Sequence, residues 1–297
     1  MLGALEPRSG ESYLDGTIGG GGHAERILNA SAPNGRLYGC DRDGAAVEWA
    51  NRRLARFTGR FEIRRGAFAE LGEWVLAESC LGALLDLGVS SPQLDEAERG
   101  FSFQREGPLD MRMDDRQALT AAKLINEASR EDLVRIFAEL GEERQAGRIA
   151  SAIERERRST PIQSTAHLAG LVERVIPRRG ARIHPATRVF QGLRMAVNDE
   201  LGNLARGLEV VWKLLRDKGR LAVITFHSLE DRMVKEFGRE KVRDYSFPGE
   251  VDVPELRQPR AAQAKWLSRK AIKPTQRELD SNPRSRSAQL RVLEKIA

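Results

Sequence analysis

Residues 13–24 read YLDGTIGGGGHA. The apolar pair Tyr13 and Leu14 is typical of the end of a buried strand, and a helical pattern begins at Ala24. Five of the seven residues from 16 to 22 are glycine, which lets the backbone take positive φ and come close to a ligand. A strand, a glycine-rich loop and a helix N-terminus form the cofactor-binding corner of a doubly wound α/β sheet.

A second acidic position supports a cofactor site. The segment from Arg36 to Asp41 predicts a second strand that ends in a carboxylate roughly 20 residues after the glycine loop, the spacing of an acid that holds a ribose. Two cofactors fit this pattern. Residues 19–24 match the dinucleotide fingerprint G-x-G-x-x-G/A. Alternatively, Asp15 and the loop hold the amino-acid end of S-adenosylmethionine, and Asp41 holds its ribose. Both alternatives are open at this point.

Two further strands reach the same edge of the predicted sheet. Apolar and polar residues alternate over 61–65, which predicts a strand. Phe68 follows this strand at the edge where α/β sheets bind ligands. Its ring is therefore expected to lie either against an adenine or against the core. Residues 81–88 are almost continuously apolar, which is typical of a central parallel strand. Asp86 interrupts this run. Because a carboxylate is seldom buried without a partner, we expect Asp86 to have a functional role.

Composition limits the class of protein. The chain has 297 residues, of which 40% are hydrophobic and 31% charged, as expected for a globular protein with a core. No apolar run approaches the ~20 residues that span a membrane, and no signal peptide is apparent, so we expect a cytoplasmic protein without membrane association. Cys40 and Cys80 lie in apolar segments, where free buried thiols are the norm. The cysteines and histidines lack metal-ligand spacing, so we expect no metal.

Positive charge is concentrated near the C-terminus. The formal net charge is +6, and residues 257–297 alone contain 11 basic and 3 acidic residues. This segment is either a binding surface for a polyanion or a solvated tail.

The helical part of the chain predicts a second domain. Residues 107–187 have helical patterns without strands between them, which predicts a small helical domain inserted into an α/β domain formed by residues 1–106 and 188–297. One long helix is predicted from Thr187 through Leu215, ending near Gly219.

The last third of the chain predicts a capping box and a strand pair. A capping box at Ser228 is expected to begin a helix. Residues 266–272 and 289–296 predict two final antiparallel strands. Such a pair beside a parallel sheet is the arrangement of S-adenosylmethionine methyltransferases and is less usual for a dehydrogenase, so the two cofactor alternatives begin to separate here.

Several motifs follow one another along the chain. In order, they are DGTIGGGGH at 15–23, DRD at 41–43, LDLGVSSPQL at 85–94, RGFSF at 99–103, GPLDMRMD at 107–114, HPATRVFQ at 184–191, FHSLEDR at 226–232 and NPRSRS at 282–287. In this combination the chain resembles the RsmH (MraW) family of bacterial methyltransferases. That family acts on the N4 amine of a cytidine in 16S ribosomal RNA.

The resemblance implies a class I S-adenosylmethionine methyltransferase (Rossmann-like) sheet with an inserted helical substrate-recognition domain. It implies S-adenosylmethionine as cofactor and, as partner, 16S ribosomal RNA in the decoding centre of the small ribosomal subunit. Whether the protein forms a homodimer is left open by the resemblance. The implied cofactor contacts, each matched through its motif, are Gly21, Gly22, His23, Asp41, Phe68, Asp86 and Gln93.

The sequence departs from the family pattern at its start. Family members usually carry a His-x-Pro-Val-Leu-like motif before the first strand, whereas this sequence reads MLGAL from Met1. We expect this difference to affect how one side of the site is covered, and with it the full activity.

The expected chemistry is direct transfer to an amine. Ser90 and Ser91 precede a proline where amino-group methyltransferases of this fold place a polar residue, so their hydroxyls or carbonyls are expected to accept the amine protons, unless they form a simple Ser-Pro turn. Attack on cytosine C5 would need a cysteine nucleophile, and Cys40 and Cys80 are not placed for one. His227 either faces the substrate or is a core histidine.

The target base must leave its stack to reach such a pocket. Candidate RNA contacts are Arg112, Arg188, Arg284 and Arg286. Two other functions fit parts of the sequence. A dinucleotide-dependent oxidoreductase would bind NAD, and an RNA-binding protein without catalysis would bind RNA independently of any cofactor.

Overall fold

A computed structural model of the protein describes residues 1–177, 184–249 and 251–296. Contacts divide the chain into two compact units. The first unit comprises Met1–Gly88 with Gly202–Ala297, and the second comprises Val89–Leu201.

These bounds differ from the domain boundaries expected after residues 106 and 187. The assignment of substrate recognition to the inserted part stays a prediction.

The chain contains the following strands and helices in the described residues. The strands are β1 Ser12–Asp15, β2 Arg36–Asp41, β3 Phe61–Arg65, β4 Cys80–Asp86, β5 Leu215–Thr225, β6 Tyr245–Ser246, β7 Gln258–Pro259, β8 Ala264–Trp266 and β9 Gln289–Lys295. The helices are α1 Leu2–Leu5, α2 Gly22–Ala30, α3 Gly44–Leu54, α4 Ser91–Asp95, α5 Ala121–Glu127, α6 Arg130–Arg135, α7 Ala146–Ser159, α8 Thr165–Val175, α9 Ala186–Val197, α10 Glu200–Leu214, α11 Ser228–Val242 and α12 Gln276–Ser281.

One sheet organises the first unit. Its strand order is β3-β2-β1-β4-β5-β9-β8, and the short strands β6 and β7 pair separately. The pairs among β1 to β5 are parallel, whereas β9 is antiparallel to both β5 and β8. The predicted α/β class, with an antiparallel pair at one side of a parallel sheet, is confirmed.

Strand β4 is buried on both faces, as its apolar run predicts. Successive residues alternate between two hydrophobic cores, with Ala83 and Leu85 in one core and Leu84 in the other. Leu14 of β1 joins the first of these cores and Tyr13 the second. Helices therefore cover both faces of the sheet, which leaves its carboxyl edge for polar groups.

The second unit has a helical core of its own. Leu133, Phe137, Ile149 and Leu168 are fully buried within it. The long helix expected from Thr187 to near Gly219 is two helices, and strand β5 begins at Leu215, so that prediction was wrong.

The break between α9 and α10 has a clear cause. Asn198 is fully buried, and its amide donates to the carbonyls of Met111 and Arg194 at 2.8 Å each. Asp199 then takes a positive φ of 45°, which ends the regular helix.

The final strand pair is antiparallel, as predicted, but its first strand ends earlier than expected. Strand β8 stops at Trp266, and Ile272 makes an isolated bridge to Leu290 of β9. The Ser268 hydroxyl donates to the carbonyl of Lys270 in between, which turns the chain away from the sheet.

Across the three described ranges, no helix combines the length and apolar character that a membrane span needs.

Candidate functional site

The carboxyl ends of three neighbouring strands lie at one edge of the sheet. Strand β1 lies between β2 and β4 and is parallel to both. The register places Asp15 beside Gly39 of β2 and Leu84 of β4. Asp41 and Asp86 are the last residues of those two strands. The structure therefore brings three predicted cofactor residues to one edge.

Backbone hydrogen bonds hold the glycine-rich loop against both neighbouring strands. On the β4 side, the Gly16 amide donates to the carbonyl of Leu84 at 3.0 Å. On the β2 side, the Gly19 amide donates to Asp41 Oδ2 at 2.9 Å. Asp41 Oδ1 also accepts from the Asp43 amide at 2.9 Å. The carboxylate of Asp41 is therefore fixed in orientation by the protein itself.

Gly21 is required by both conformation and space. Its φ is +77°, and a Cβ atom there would lie 3.3 Å from Cα of Ala50 in α3. Gly22 follows as the first residue of α2. The first amides of a helix have no partner within the helix, so this end of α2 offers donors beside the carboxylates.

Thr17 connects the loop to Asp86. Its hydroxyl oxygen accepts from the Asp86 amide at 2.6 Å. His23 Nε2 lies 3.3 Å from Asp86 Oδ2, so the side chain of Asp86 faces the first turn of α2. Sequence reasoning missed Thr17. Its position directly after the strand-ending Asp15 and Gly16 was the available signal.

Three polar atoms at this edge are buried and have no hydrogen-bond partner among the described residues. They are Asp15 Oδ2, His23 Nδ1 and Asp86 Oδ1. Leaving one buried polar group unsatisfied costs about 1–3 kcal/mol. Three such atoms at one edge of the sheet indicate a binding site for a polar ligand.

Burial and hydrogen bonding shift the pKa values of Asp15, His23 and Asp41 at this edge. Burial raises the pKa of Asp15 from 3.8 to about 7, against the opposing effect of nearby His23. The hydrogen bond to Asp86 raises the pKa of His23 above its ordinary value. Burial also raises the pKa of Asp41, although the amides of Asp43 and Gly19 oppose that effect. Perturbed titration of clustered groups is typical of functional sites.

Phe68 is buried within the core beside this edge. It is 7% exposed and begins the short 3-10 segment Phe68–Glu73. A Cβ atom at Gly207 would lie 2.1 Å from its ring, and one at Gly16 would lie 2.8 Å from its Cβ. The two glycines therefore make room for Phe68. Its contact with an adenine stays a prediction.

Ser90 and Gln93 cap the helix that follows β4 along the chain, within the second unit. The Ser90 hydroxyl accepts from the Gln93 amide at 3.5 Å, and the Ser90 amide donates to Gln93 Oε1 at 3.0 Å. This reciprocal capping box fixes both residues. Ser91 is the first residue of α4 and is exposed.

His227 begins helix α11. Its Nδ1 accepts from the Glu230 amide at 3.5 Å, so the N-cap is His227 and the cap predicted at Ser228 was wrong by one residue. His227 Nε2 lies 3.0 Å from Glu230 Oε1, while Glu230 Oε2 accepts from the Phe226 amide at 2.9 Å. Because Glu230 is only 2% exposed, this pairing anchors the helix start. A catalytic role of His227 stays a prediction.

Arg112 is engaged within the second unit. Its guanidinium donates to both carboxylate oxygens of Asp110, at 2.8 and 2.7 Å, and to the carbonyls of Asp115 and Gln117. These bonds hold the loop after residue 109 in a fixed shape.

The other three predicted RNA contacts are exposed. Arg188 lies on α9 of the second unit, and Arg284 and Arg286 lie in the 3-10 segment Pro283–Ser287 of the first. Contact of any of the four arginines with RNA stays a prediction.

Both cysteines are free and buried. Burial raises the pKa of the Cys40 thiol well above its ordinary value and that of Cys80 to about 11. Neither thiol is a thiolate near neutral pH, so neither is an activated nucleophile.

A family model described as the MraW methylase family matches residues 1–296. The chain belongs to this family. The resemblance inferred from the motifs is confirmed, and at the level of the family the predicted class, a methylase, is confirmed with it.

Sequence relatives support the family assignment over the full chain. The ribosomal RNA small subunit methyltransferase H of Syntrophotalea carbinolica is 50% identical over all of this chain and 95% of its own. The protein of the same name from Geobacter sulfurreducens is also 50% identical, over all of this chain and 96% of its own. A solved rRNA methylase from Streptococcus thermophilus is 11% identical, with a TM-score of 0.44 over 99% of this chain and 92% of that chain. The assignment rests on the sequence relatives.

Replacing Thr17 tests the link between the loop and Asp86. Thr17→Val removes the acceptor of the Asp86 amide, and we expect the free energy of unfolding to fall by about 1–3 kcal/mol. Thr17→Ser keeps the hydroxyl and is the matched control. Urea unfolding measures the difference, and amide hydrogen exchange at Asp86 locates it. Equal stability and equal exchange in the two variants would contradict the proposed link.

Replacing Asp15 tests its raised pKa. In the unfolded chain this carboxyl ionises near its ordinary 3.8, whereas the folded protein keeps the proton up to about pH 7. Stability from the protonated group is therefore present below about pH 4 and is lost as the pH rises toward 7. Asp15→Asn cannot ionise, so its stability should fall less over this interval, by up to about 1.4 kcal/mol per pH unit.

Urea unfolding at a series of pH values measures this slope. The raised pKa of His23 acts in the same direction above its ordinary 6.5, and the raised pKa of Asp41 does so above its ordinary 3.8, so the contribution of Asp15 is the difference between the wild-type and Asp15→Asn slopes. Glu73→Gln, which removes an exposed carboxylate, is the control and should keep the wild-type slope. An Asp15→Asn slope equal to that of the wild type would show that Asp15 is not protonated in the folded protein.

Proposed function

We propose that this protein is a small-subunit ribosomal RNA methyltransferase that uses S-adenosylmethionine to methylate the N4 amine of a cytidine in the decoding centre of 16S ribosomal RNA. The family and the printed names of its close relatives support the coarser part of the proposal. The cluster of buried polar atoms without described hydrogen-bond partners at the sheet edge is the observation that supports the cofactor part of the proposal. The cytidine and its N4 atom come from the motif resemblance.

The donor and acceptor groups of S-adenosylmethionine fit this edge. The cofactor has an ammonium group and ribose hydroxyls that donate, and a carboxylate that accepts. Asp15 Oδ2 and Asp86 Oδ1 are buried oxygens without described donors, and His23 Nδ1 is a buried nitrogen without a described partner. Asp41, held by two amides, keeps lone pairs for ribose hydroxyls.

The residues that would hold the cofactor in the first unit are Asp15, Gly21, Gly22, His23, Asp41, Phe68 and Asp86. Gln93, which lies in the second unit, stays a cofactor contact predicted from the motif resemblance. When bound, the cofactor supplies an electrophilic methyl group on a sulfonium sulfur.

The protein's own task is to position a weak nucleophile. The N4 lone pair of cytosine is delocalised into the ring, so orientation matters, and positioning alone can supply about 7–11 kcal/mol. The Ser90 hydroxyl and carbonyl already accept bonds within α4. The Ser91 hydroxyl is exposed and has no hydrogen bond to any described residue. We therefore favour the Ser91 hydroxyl as the hydrogen-bond acceptor that orients the N4 amine, and Ser90 as its fixed support.

The cysteines favour transfer to the amine over transfer to ring carbon C5. Attack on the ring needs an activated thiolate, and burial keeps both Cys40 and Cys80 protonated. The chain thus supports direct in-line transfer to an exocyclic nitrogen without a covalent enzyme intermediate.

A methylation assay with product mapping tests the function. Unmethylated small subunits and naked 16S ribosomal RNA are each incubated with the protein and S-adenosylmethionine, and the product nucleoside is identified by mass spectrometry. We expect a single N4-methylated cytidine from the decoding centre. A C5-methylated product, a different nucleotide or no transfer to either RNA would contradict the proposal.

Two neighbouring serine variants test the proposed division of roles. Ser91→Ala should lower kcat at least about tenfold with little change in stability, because it removes a group acting in the transition state. Ser90→Ala should instead lower the free energy of unfolding by about 1 kcal/mol, since it removes the helix cap. A wild-type kcat for Ser91→Ala would remove Ser91 from this role.

A further inference from the structure

Helices α7 and α8 of the second unit form a groove that contains no residue of the motifs used above. Its volume is about 620 Å³, within the range of ligand-binding pockets. Its lining residues are Gly147, Arg148, Ser151, Ala152, Arg155, Glu156, Leu171, Arg174 and Val175.

Spacing along α7 builds one wall of this groove. Arg148, Ala152 and Arg155 recur at intervals of four and three residues and so share one helix face. Gly147 and Ser151 lie beside them and are small. The small residues let a ligand approach the helix closely, while the long arginine side chains reach outward at both ends.

The arginines of the groove carry largely uncompensated charge. Arg148 donates to neutral acceptors, the side chain of Gln145 and the carbonyl of Val175. The guanidinium of Arg155 is exposed and forms no ion pair or hydrogen bond with any described residue.

Arg174 shares the one carboxylate found among the described residues that line the groove. Its side chain is 62% exposed, and its Nη2 lies 3.6 Å from Glu156 Oε1. The same oxygen of Glu156 lies 2.9 Å from His167 Nε2. The described lining therefore contains three guanidinium groups and one carboxylate that is already engaged, so the groove is net positive.

The length of the groove favours an extended ligand over a small anion. Arg148 and Arg155 are seven residues apart on α7, which separates their Cα atoms by about 10 Å along the helix axis. A single phosphate would satisfy one end of the groove and leave the other end charged. A chain of phosphates satisfies both ends, and the planar fork of guanidinium matches phosphate oxygens.

We propose that the α7–α8 groove binds the phosphate backbone of the RNA strand that carries the methylated base. This inference rests on the proposed function for the identity of the strand. Arg155 and Arg174 contact phosphates directly, Arg148 extends the positive wall, and the small face of α7 admits the strand. The groove thus adds affinity and register without reading the base.

A double variant tests the groove in the full-length protein. Arg155→Gln with Arg174→Gln removes two charges from the groove, and Arg135→Gln with Arg158→Gln removes two exposed charges that do not line it. Fluorescence anisotropy measures affinity for a naked single-stranded 16S fragment over a salt series. Methylation kinetics on naked RNA and on assembled small subunits, and calorimetry with S-adenosylmethionine, are measured in parallel.

The groove variant should bind the RNA fragment at least about tenfold more weakly, and its log–log salt slope should be smaller by about 1.4, the value for two single-strand phosphate contacts. KM for RNA should rise with kcat and cofactor affinity unchanged. The control variant should behave like the wild type. Equal losses in both variants, or no loss in the groove variant, would overturn the proposal.

If the groove variant lost activity on assembled subunits but not on naked RNA, the groove would be assigned to a ribosomal protein. That result would also overturn the proposal. Failure of the proposed function is distinguishable from these outcomes. It would appear as wild-type protein that binds the RNA fragment with the predicted salt dependence but does not methylate N4, and the groove assignment would stand on the binding data.

Discussion

Carboxylates at the ends of neighbouring parallel strands repel one another and lose hydration, so a protein that buries them together must hold them with other groups. Asp15, Asp41 and Asp86 are held in this way. Asp41 accepts two loop amides, and the Asp86 amide is held by Thr17. The side chain of Asp86 faces His23. The buried polar atoms at this edge that have no described hydrogen-bond partner are complementary to a cofactor with both donors and acceptors.

In the proposed function, the second unit has a different task, which is to present groups to a large polyanion. Its own ion pairs and caps fix the shape of its loops, as the bidentate pair of Arg112 with Asp110 does. The guanidinium groups around the α7–α8 groove have few anionic partners of their own. A rigid scaffold with positive charge left over is the usual basis for sequence-independent contact with nucleic acid.

Sequence predicted the sheet and the position of the three carboxylates, because apolar runs and glycine loops report burial and turns directly. The helix break at Asn198 and the role of Thr17 were not predicted. Each depends on a partner that is distant along the chain, Met111 for Asn198 and Asp86 for Thr17. Phe68 illustrates the same limit, because the space for its ring is left by Gly207, a residue far away in sequence.

The central claim is that the three strand ends share one cofactor site. Calorimetric titration with S-adenosylmethionine, and with NAD in parallel, tests it most directly in the wild type and in the variants Asp15→Ala, Asp41→Ala and Asp86→Ala. The account predicts one saturable site for S-adenosylmethionine, no binding of NAD and weaker S-adenosylmethionine binding in every variant that remains folded. Binding of NAD at comparable affinity, or a folded variant with unchanged affinity for S-adenosylmethionine, would contradict it.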